Sequence, residues 1–250
     1  MRGCGGEAVT DEKASASRPA LPLSIVVPCL NEAAGIVGAL ACLQPLRVRG
    51  AEVIVVDGGS SDNTLALATP LADRVLTAPR GRASQMNASA AVARGGVLLF
   101  LHADCGLPHD ADRLILDGLA ASGKLWGRFD VILDGTHPLL SLVAFMMNWR
   151  SRLTGIATGD QGLFVTHATF TAAGGFPLIP LMEDIAFSKT LKSRGAPLCL
   201  RQHITASARR WEARGVLRTI MLMWRLRLAY FLGADPAALA LRYDDARARR

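Results

Sequence analysis

An α/β fold with a mostly parallel central sheet and helices on both faces is predicted by two observations. Short runs that are apolar throughout alternate with helical segments, and acidic residues stand just past two of those runs. In such a sheet ligands bind beyond the carboxyl ends of the strands, which is where these acids fall.

The elements follow in order. Leu23 to Pro28 is a branched, apolar strand, and Asn31-Glu32 opens a capped helix running to Leu43. Glu52 to Asp57 is a second buried strand. Its loop, Gly58 to Asp62, offers Ser61 or Asp62 as the cap of a helix beginning near Thr64. Val75-Leu76 is a short third strand, Ala83 to Arg94 an Ala-rich helix ended by Gly95-Gly96, and Val97 to Leu101 a fourth strand. Beyond it come a helix near Asp110 to Ala121, a strand at Leu125 to Leu133 and the apolar segment Leu139 to Trp149. Then follow a strand at Gly162 to Thr166, a helix from Glu183 to Arg194, a strand at Leu198 to Ile204, and a last long helix from Glu212 to Gly233.

With 250 residues, half of them hydrophobic and 20% charged, the chain can bury one substantial core. The reading is a solvated, disordered tail at 1–20, one domain at 21–243 and a basic tail at 244–250. Within the domain, 21–105 is the nucleotide-binding half and 106–243 the acceptor half. No run of about 20 apolar residues predicts a spanning helix, and the start lacks a secretory signal, so the expectation is a cytoplasmic protein. Five scattered cysteines with no Cys-x-x-Cys spacing predict neither a disulfide framework nor a zinc site.

The net charge of +7 has one source. Residues 201–250 carry 11 arginines against 4 acids, whereas residues 1–200 balance at 17 of each sign. A phosphate-bearing substrate, an anionic membrane surface or a nucleic acid would each account for this, and net charge does not choose among them; on the reading as a whole no nucleic-acid partner is expected. On the last helix Arg210, Arg214, Arg218 and Arg225 share a face, read as a solvated basic stripe, with contact to the inner face of a membrane as the alternative.

Several residues can carry chemistry. Asp57 opens a Gly-Gly-Ser-Ser loop, where a carboxylate can bind a ligand or cap the following helix. Asp104, behind His102-Ala103 at a strand end, is placed to hold a hard cation bridging phosphates. Arg80 and Arg82 flank a helix start suited to anions, Arg82 being the better candidate. Glu183-Asp184 begins a helix, where acids complement the helix dipole or serve as a general base. Arg209-Arg210-Trp211 sets two guanidinium groups beside an indole, suited to a diphosphate or a sugar face.

Four ordered blocks resemble the family 2 glycosyltransferases: Ile25 to Glu32 (IVVPCLNE), Val53 to Thr64 (VIVVDGGSSDNT), Leu98 to Asp104 (LLFLHAD) and Glu183-Asp184. Gly81 to Asn87 (GRASQMN), Arg150 to Gln161 (RSRLTGIATGDQ), Pro180 to Ile185 (PLMEDI) and Arg209 to Glu212 (RRWE) are similar to the subfamily named for arsenosugar biosynthesis. The resemblance covers about residues 23–243.

It implies a GT-A fold, a nucleoside diphosphate sugar donor, a divalent metal (Mg²⁺ or Mn²⁺) and inversion at the anomeric carbon. Carried over by position, Asp184 is the catalytic base with Glu183 beside it, and Asp104 is the metal ligand. The donor site would draw on Pro28, Asn31, Glu32, Asp57, Asp62, Arg82, Asn87, Ala103, Asp104, Arg209, Arg210 and Trp211. His102 departs from the pattern, standing where the metal motif often has its first acid. The Gln-x-x-Arg-Trp motif of processive synthases is absent, which implies a single transfer. A small arsenical acceptor follows from the subfamily, and a lipid or carotenoid acceptor at a membrane is the alternative.

The rival readings fit less well. A sugar-phosphate nucleotidyltransferase would need a Gly-rich, Arg-bearing loop after the first strand, and an NAD-dependent oxidoreductase a Gly-x-Gly-x-x-Gly there. A noncatalytic membrane or nucleic-acid binder would need none of the acidic blocks.

Overall fold

A computed structural model describes residues 21–248. The segment 1–20 and the last two residues lie outside the described residues, as do the side chains of Arg210 and Arg214.

In chain order the elements are β1 (Leu21–Cys29), α1 (Ile36–Ala41), α2 (Gln44–Val48), β2 (Glu52–Asp57), α3 (Thr64–Ala68), β3 (Arg74–Thr77), α4 (Arg82–Val92), β4 (Gly95–Phe100) and β5 (Cys105–Gly106). There follow α5 (Ala111–Ser122), β6 (Trp126–Asp134), α6 (Leu139–Thr154), β7 (Leu163–Thr166), α7 (His167–Ala172), α8 (Glu183–Lys192), β8 (Leu198–Ser207), α9 (Arg209–Arg214), α10 (Val216–Phe231) and α11 (Pro236–Ala248).

Both halves of the chain share one sheet, ordered β3-β2-β1-β4-β7-β6-β8-β5. The first four strands in that order are mutually parallel. Antiparallel β7 joins them to a parallel β6–β8 pair, and β5 closes the edge antiparallel.

The alternation along the central strands divides the core. Ile25 and Val27 of β1 and Leu99 of β4 face one cluster, with Ile36 and Leu40 of α1, Ile115 of α5 and Val143 of α6. Val26 of β1 and Leu98 and Phe100 of β4 face the other, with Met86 of α4, Phe170 of α7 and Phe187 of α8. Strands covered on both faces must be apolar at every position, which is why these runs carry no polar alternation. A third cluster packs Leu181, Met182 and Ile185, at the start of α8, under Leu226 of α10 and Leu239 of α11.

Three expectations are corrected. Gly95 does not end a helix but starts β4: an added Cβ would collide with the Ser24 backbone of β1, so two strands approach where only glycine fits. The helix expected to begin at Asn31 starts at Ile36, because Asn31 takes a left-handed φ of 53° and its side chain turns to the neighbouring loop. The single long C-terminal helix is broken at Gly215, φ 83°, into α9 and α10, and α11 then runs on past residue 243.

The expected basic stripe on this helix is also revised. Leu217, Met221, Trp224, Leu228 and Phe231 recur every three or four residues on α10, and all are exposed. The outward stripe is therefore apolar, and the exposed Arg218 and Arg225 stand beside it. Among the described residues no helix is long and apolar enough to cross a membrane.

Candidate active site

The carboxyl ends of β1, β2 and β4 carry the first group of expected residues. Asp57 ends β2 with only 1% of its surface exposed. One carboxylate oxygen accepts from the backbone N–H groups of Gly59 (2.9 Å) and Ser60 (2.8 Å), and the other accepts from the Ser60 hydroxyl. The work visible for Asp57 is to hold the Gly58–Ser60 loop in shape. Burial, and then the charge of Asp57, push the neighbouring Cys29 thiol up to about 12.

That loop is zippered to the end of β1. Asn31 Oδ1 accepts from Ser61 N–H at 2.8 Å, Ala33 N–H donates to Asp62 Oδ2 at 3.1 Å, and Glu32 N–H donates to Thr64 Oγ1 at 2.8 Å. Pro28 is buried in β1, in register with Val56. From α4, Gln85 donates to both Cys29 O and Val56 O at 2.8 Å, clamping the two strand ends. Pro28, Asn31, Glu32, Asp57 and Asp62 thus form one cross-braced unit.

Asn87 works elsewhere. Its amide donates to Phe176 O and accepts from Phe176 N–H, at 2.8 and 2.9 Å, so both of its ends are used as a tether between α4 and the segment leading to α8.

The second group gathers around a short turn, Gly159–Gln161. Past the end of β4, His102 Nδ1 lies 3.2 Å from Asp160 Oδ1, and Ala103 is buried behind it. Gly159 N–H donates to Asp184 Oδ2 at 2.9 Å. An added Cβ on Gly159 would strike the His102 ring, so glycine is what lets the turn sit between His102 and Asp184. The ligand atoms of His102, Asp104 and Cys105 lie within 4.8 Å of one another. Asp104 contributes a hard oxygen and His102 an imidazole nitrogen, a set that accommodates a divalent cation with phosphate oxygens to complete it.

Glu183 and Asp184 follow Met182, whose buried backbone is left-handed at φ 70°, an uncommon state for a residue with a side chain. Glu183 Oε1 forms an ion pair with Arg82 Nε at 2.9 Å, the glutamate side chain 4% and the arginine side chain 40% exposed. The other oxygen, Oε2, is buried without a partner. Burial raises the Glu183 carboxyl above its ordinary range, and Arg82 opposes the shift. Asp184 is less buried and faces the charges of Arg82 and Arg150.

Arg209, at the start of α9, is exposed and reaches to 3.8 Å from a Cβ built on Gly35, next to the start of α1. Trp211 lines a cavity shared with Asp104 and Asp160. The Arg210 side chain lies outside the described residues. Three participants were not singled out from the sequence: Asp160, Arg150 and Arg227. The first two lie in the block Arg150 to Gln161 already quoted for its resemblance.

The sequence profile described as glycosyl transferase family 2 matches residues 24–173, more than half of the chain. The chain belongs to glycosyl transferase family 2. No curated protein matches this family 2 chain. Similar solved structures include S. aureus TarS in complex with UDP-GlcNAc, at 18% identity and a TM-score of 0.62, covering 75% of this chain and 59% of that one. The mannosyltransferase PcManGT from Pyrobaculum calidifontis, in complex with GDP-Man and Mn²⁺, is 20% identical with a TM-score of 0.60, covering 88% and 64%. Glucosyl-3-phosphoglycerate synthase from Mycobacterium tuberculosis, in complex with Mn²⁺, UDP and glucosyl-3-phosphoglycerate, is 21% identical with a TM-score of 0.53, covering 73% and 70%. The family 2 chain spans about three-fifths of the length of the first two. At these identities the likeness establishes the fold, which is GT-A.

Proposed function

We propose that this protein transfers a sugar, once per acceptor and with inversion, from a nucleoside diphosphate sugar to an acceptor hydroxyl. The observation that carries the reading is the turn Gly159–Gln161, which holds Asp184 and the His102–Asp104 pair against one another. This contact supports reading Asp184 as a proton acceptor and His102 with Asp104 as a cation site acting together, as attack at the anomeric carbon of a phosphate-activated sugar requires.

The nucleoside rests on the braced loops of β1 and β2, with Asp57 acting through the loop it holds. Asp104 and His102 would hold the divalent cation, which when bound neutralises charge on the leaving diphosphate. Arg209 adds positive charge at the same rim. Asp184 takes the acceptor's proton, while Glu183, committed to Arg82, positions it.

For the acceptor, the subfamily resemblance points to a small arsenical. The structure supports the other reading, a lipid-like acceptor met at a membrane. A cavity of about 570 Å³ lined chiefly by Leu, Met and Trp side chains adjoins Asp104 and Asp160, a size suited to a small amphiphile. The exposed apolar stripe of α10, bordered by Arg218 and Arg225, suits the surface of an anionic bilayer at the inner face of the cell membrane.

The test is a melting-shift screen of UDP- and GDP-sugars with Mn²⁺ or Mg²⁺, repeated with chelator. A donor raises the melting temperature in proportion to its affinity, and the metal strengthens it. No shift from any nucleoside diphosphate or its sugars would overturn the reading.

A further inference from the structure

The cavity between α6 and α10 combines two properties that are rarely found together. Its walls are mostly hydrocarbon, yet Arg150 and Arg227 both line it, with Asp104 and Asp160 also on the lining. Nε and Nη2 of Arg150 and Nε of Arg227 are buried with no hydrogen-bond acceptor. Burial, and then the charge of Arg227, pull the Arg150 guanidinium down to about 10, against the opposing pull of Asp184. Buried N–H groups on charged side chains are normally satisfied, so two such arginines on one cavity suit an anionic ligand that reaches between them.

The cavity also has a wet, apolar mouth. Leu142 and Met146 of α6 and Leu217 and Trp224 of α10 line it and are at the same time exposed.

We propose that this cavity is an acceptor site for an anionic amphiphile: an apolar chain, a phosphodiester, and a headgroup with a free hydroxyl. The assignment deepens the glycosyl-transfer reading and rests on it for the chemistry. The guanidinium forks receive the phosphodiester oxygens, the apolar walls receive the chain, and the headgroup hydroxyl extends toward Asp184. In the transfer step the hydroxyl oxygen bonds to the anomeric carbon, the bond from that carbon to the diphosphate breaks, and the hydroxyl proton passes to Asp184. An uncharged carotenoid would leave the arginines unsatisfied. A small arsenical oxyanion would satisfy them but leave the apolar walls against water.

The experiment is a titration followed by tryptophan fluorescence, since Trp211 and Trp224 line the cavity. Monomeric dihexanoyl phosphatidylglycerol is compared with dihexanoylglycerol, which lacks the phosphate, and glycerophosphoglycerol, which lacks the chains. The phosphatidylglycerol is expected to bind at least about tenfold more tightly than either. Arg150→Met, and independently Arg227→Met, should reduce it to the affinity of dihexanoylglycerol and leave dihexanoylglycerol unchanged. Saturating UDP with Mn²⁺ should not displace it.

Equal binding of phosphatidylglycerol and dihexanoylglycerol overturns the anion site, and no binding by any lipid overturns the cavity assignment. Displacement by UDP, or variants that lose UDP affinity and keep the lipid's, would give the arginines to the donor instead. UDP binding is read on the same samples by melting shift. If UDP stabilises while the lipids give no response, only this inference fails; if UDP is also inert, the glycosyl-transfer reading fails with it.

Discussion

Arg82 Nε lies 2.9 Å from Glu183 Oε1, an ion pair that joins the first residue of α4 to the first residue of α8. Each residue is thus paired within the fold, the arginine facing a buried carboxylate and the glutamate a partly exposed guanidinium.

Glu183→Gln is therefore expected to act on stability. It replaces a nearly buried carboxylate, whose charged form burial disfavours, with a neutral amide, so urea unfolding at neutral pH should find the variant at least as stable as the parent. The pH dependence has a definite sign. Burial raises the Glu183 carboxyl above its ordinary value of 4.5, so the folded state holds this proton more tightly than the unfolded one. The associated stability is complete below that ordinary value and is lost as pH rises through the raised one. The variant, which cannot titrate, should show a shallower fall between those limits; a steeper fall would contradict the assignment.

Asp184→Asn tests the proposed base. Transfer should drop by about 10²–10⁴-fold, because proton removal from the acceptor is lost. Donor affinity, measured by the melting shift, should change little. Normal turnover by this variant would remove Asp184 from the mechanism.

Gly159→Ala probes the turn without touching a titratable group. The added methyl group would displace the His102 ring and disturb the N–H that donates to Asp184. Mn²⁺ affinity in the presence of UDP, measured by calorimetry, should fall about 10–100-fold, as for supporting groups around metal sites. Far-ultraviolet circular dichroism should be unchanged.

Glu52 gives a control remote from the chemistry. Its buried carboxylate accepts from Ser24 Oγ at 2.6 Å and from Arg94 N–H and Nε at 2.9 and 2.8 Å. Burial alone would raise its pKa, but these bonds and the Arg94 charge outweigh burial and lower it. That stability is present above the ordinary value of 4.5 and is lost as pH falls through the lowered one. Glu52→Gln should cost about 1–3 kcal/mol at pH 7, screened on the side where Arg94 meets solvent, and progressively less in acid. An equal cost at both pH values would show that packing, not ionisation, explains Glu52.

The parallel strands β1, β2 and β4, and the helices α4, α5 and α8 around them, were legible because their information is local. A strand buried on both faces must be apolar at each position, and Asp57 and Asp104 stand out against that background. The family blocks likewise carried Asp184, Asp104 and the β1 and β2 loops together. The tether from Asn87 to the Phe176 backbone was not legible, since nothing near either residue in sequence states that the two meet.

Gly95, Gly159 and Arg227 mark the other limit. A glycine between helix and strand reads locally as a helix stop, and only the backbone of β1 beside it explains why the strand begins there. The exposed apolar stripe of α10 looks like a core face until the positions of α6, α8 and α11 show which side is already covered. By itself, then, the sequence determined the α/β architecture, the family and the acids of the candidate site, because alternation of burial and short motifs are properties of neighbouring residues. Tertiary structure alone decided that Arg82 belongs to Glu183, that one turn links His102 to Asp184, and that Arg150 and Arg227 share an apolar cavity. Those relationships join residues far apart in the chain, and charge pairing and desolvation depend on distance in space.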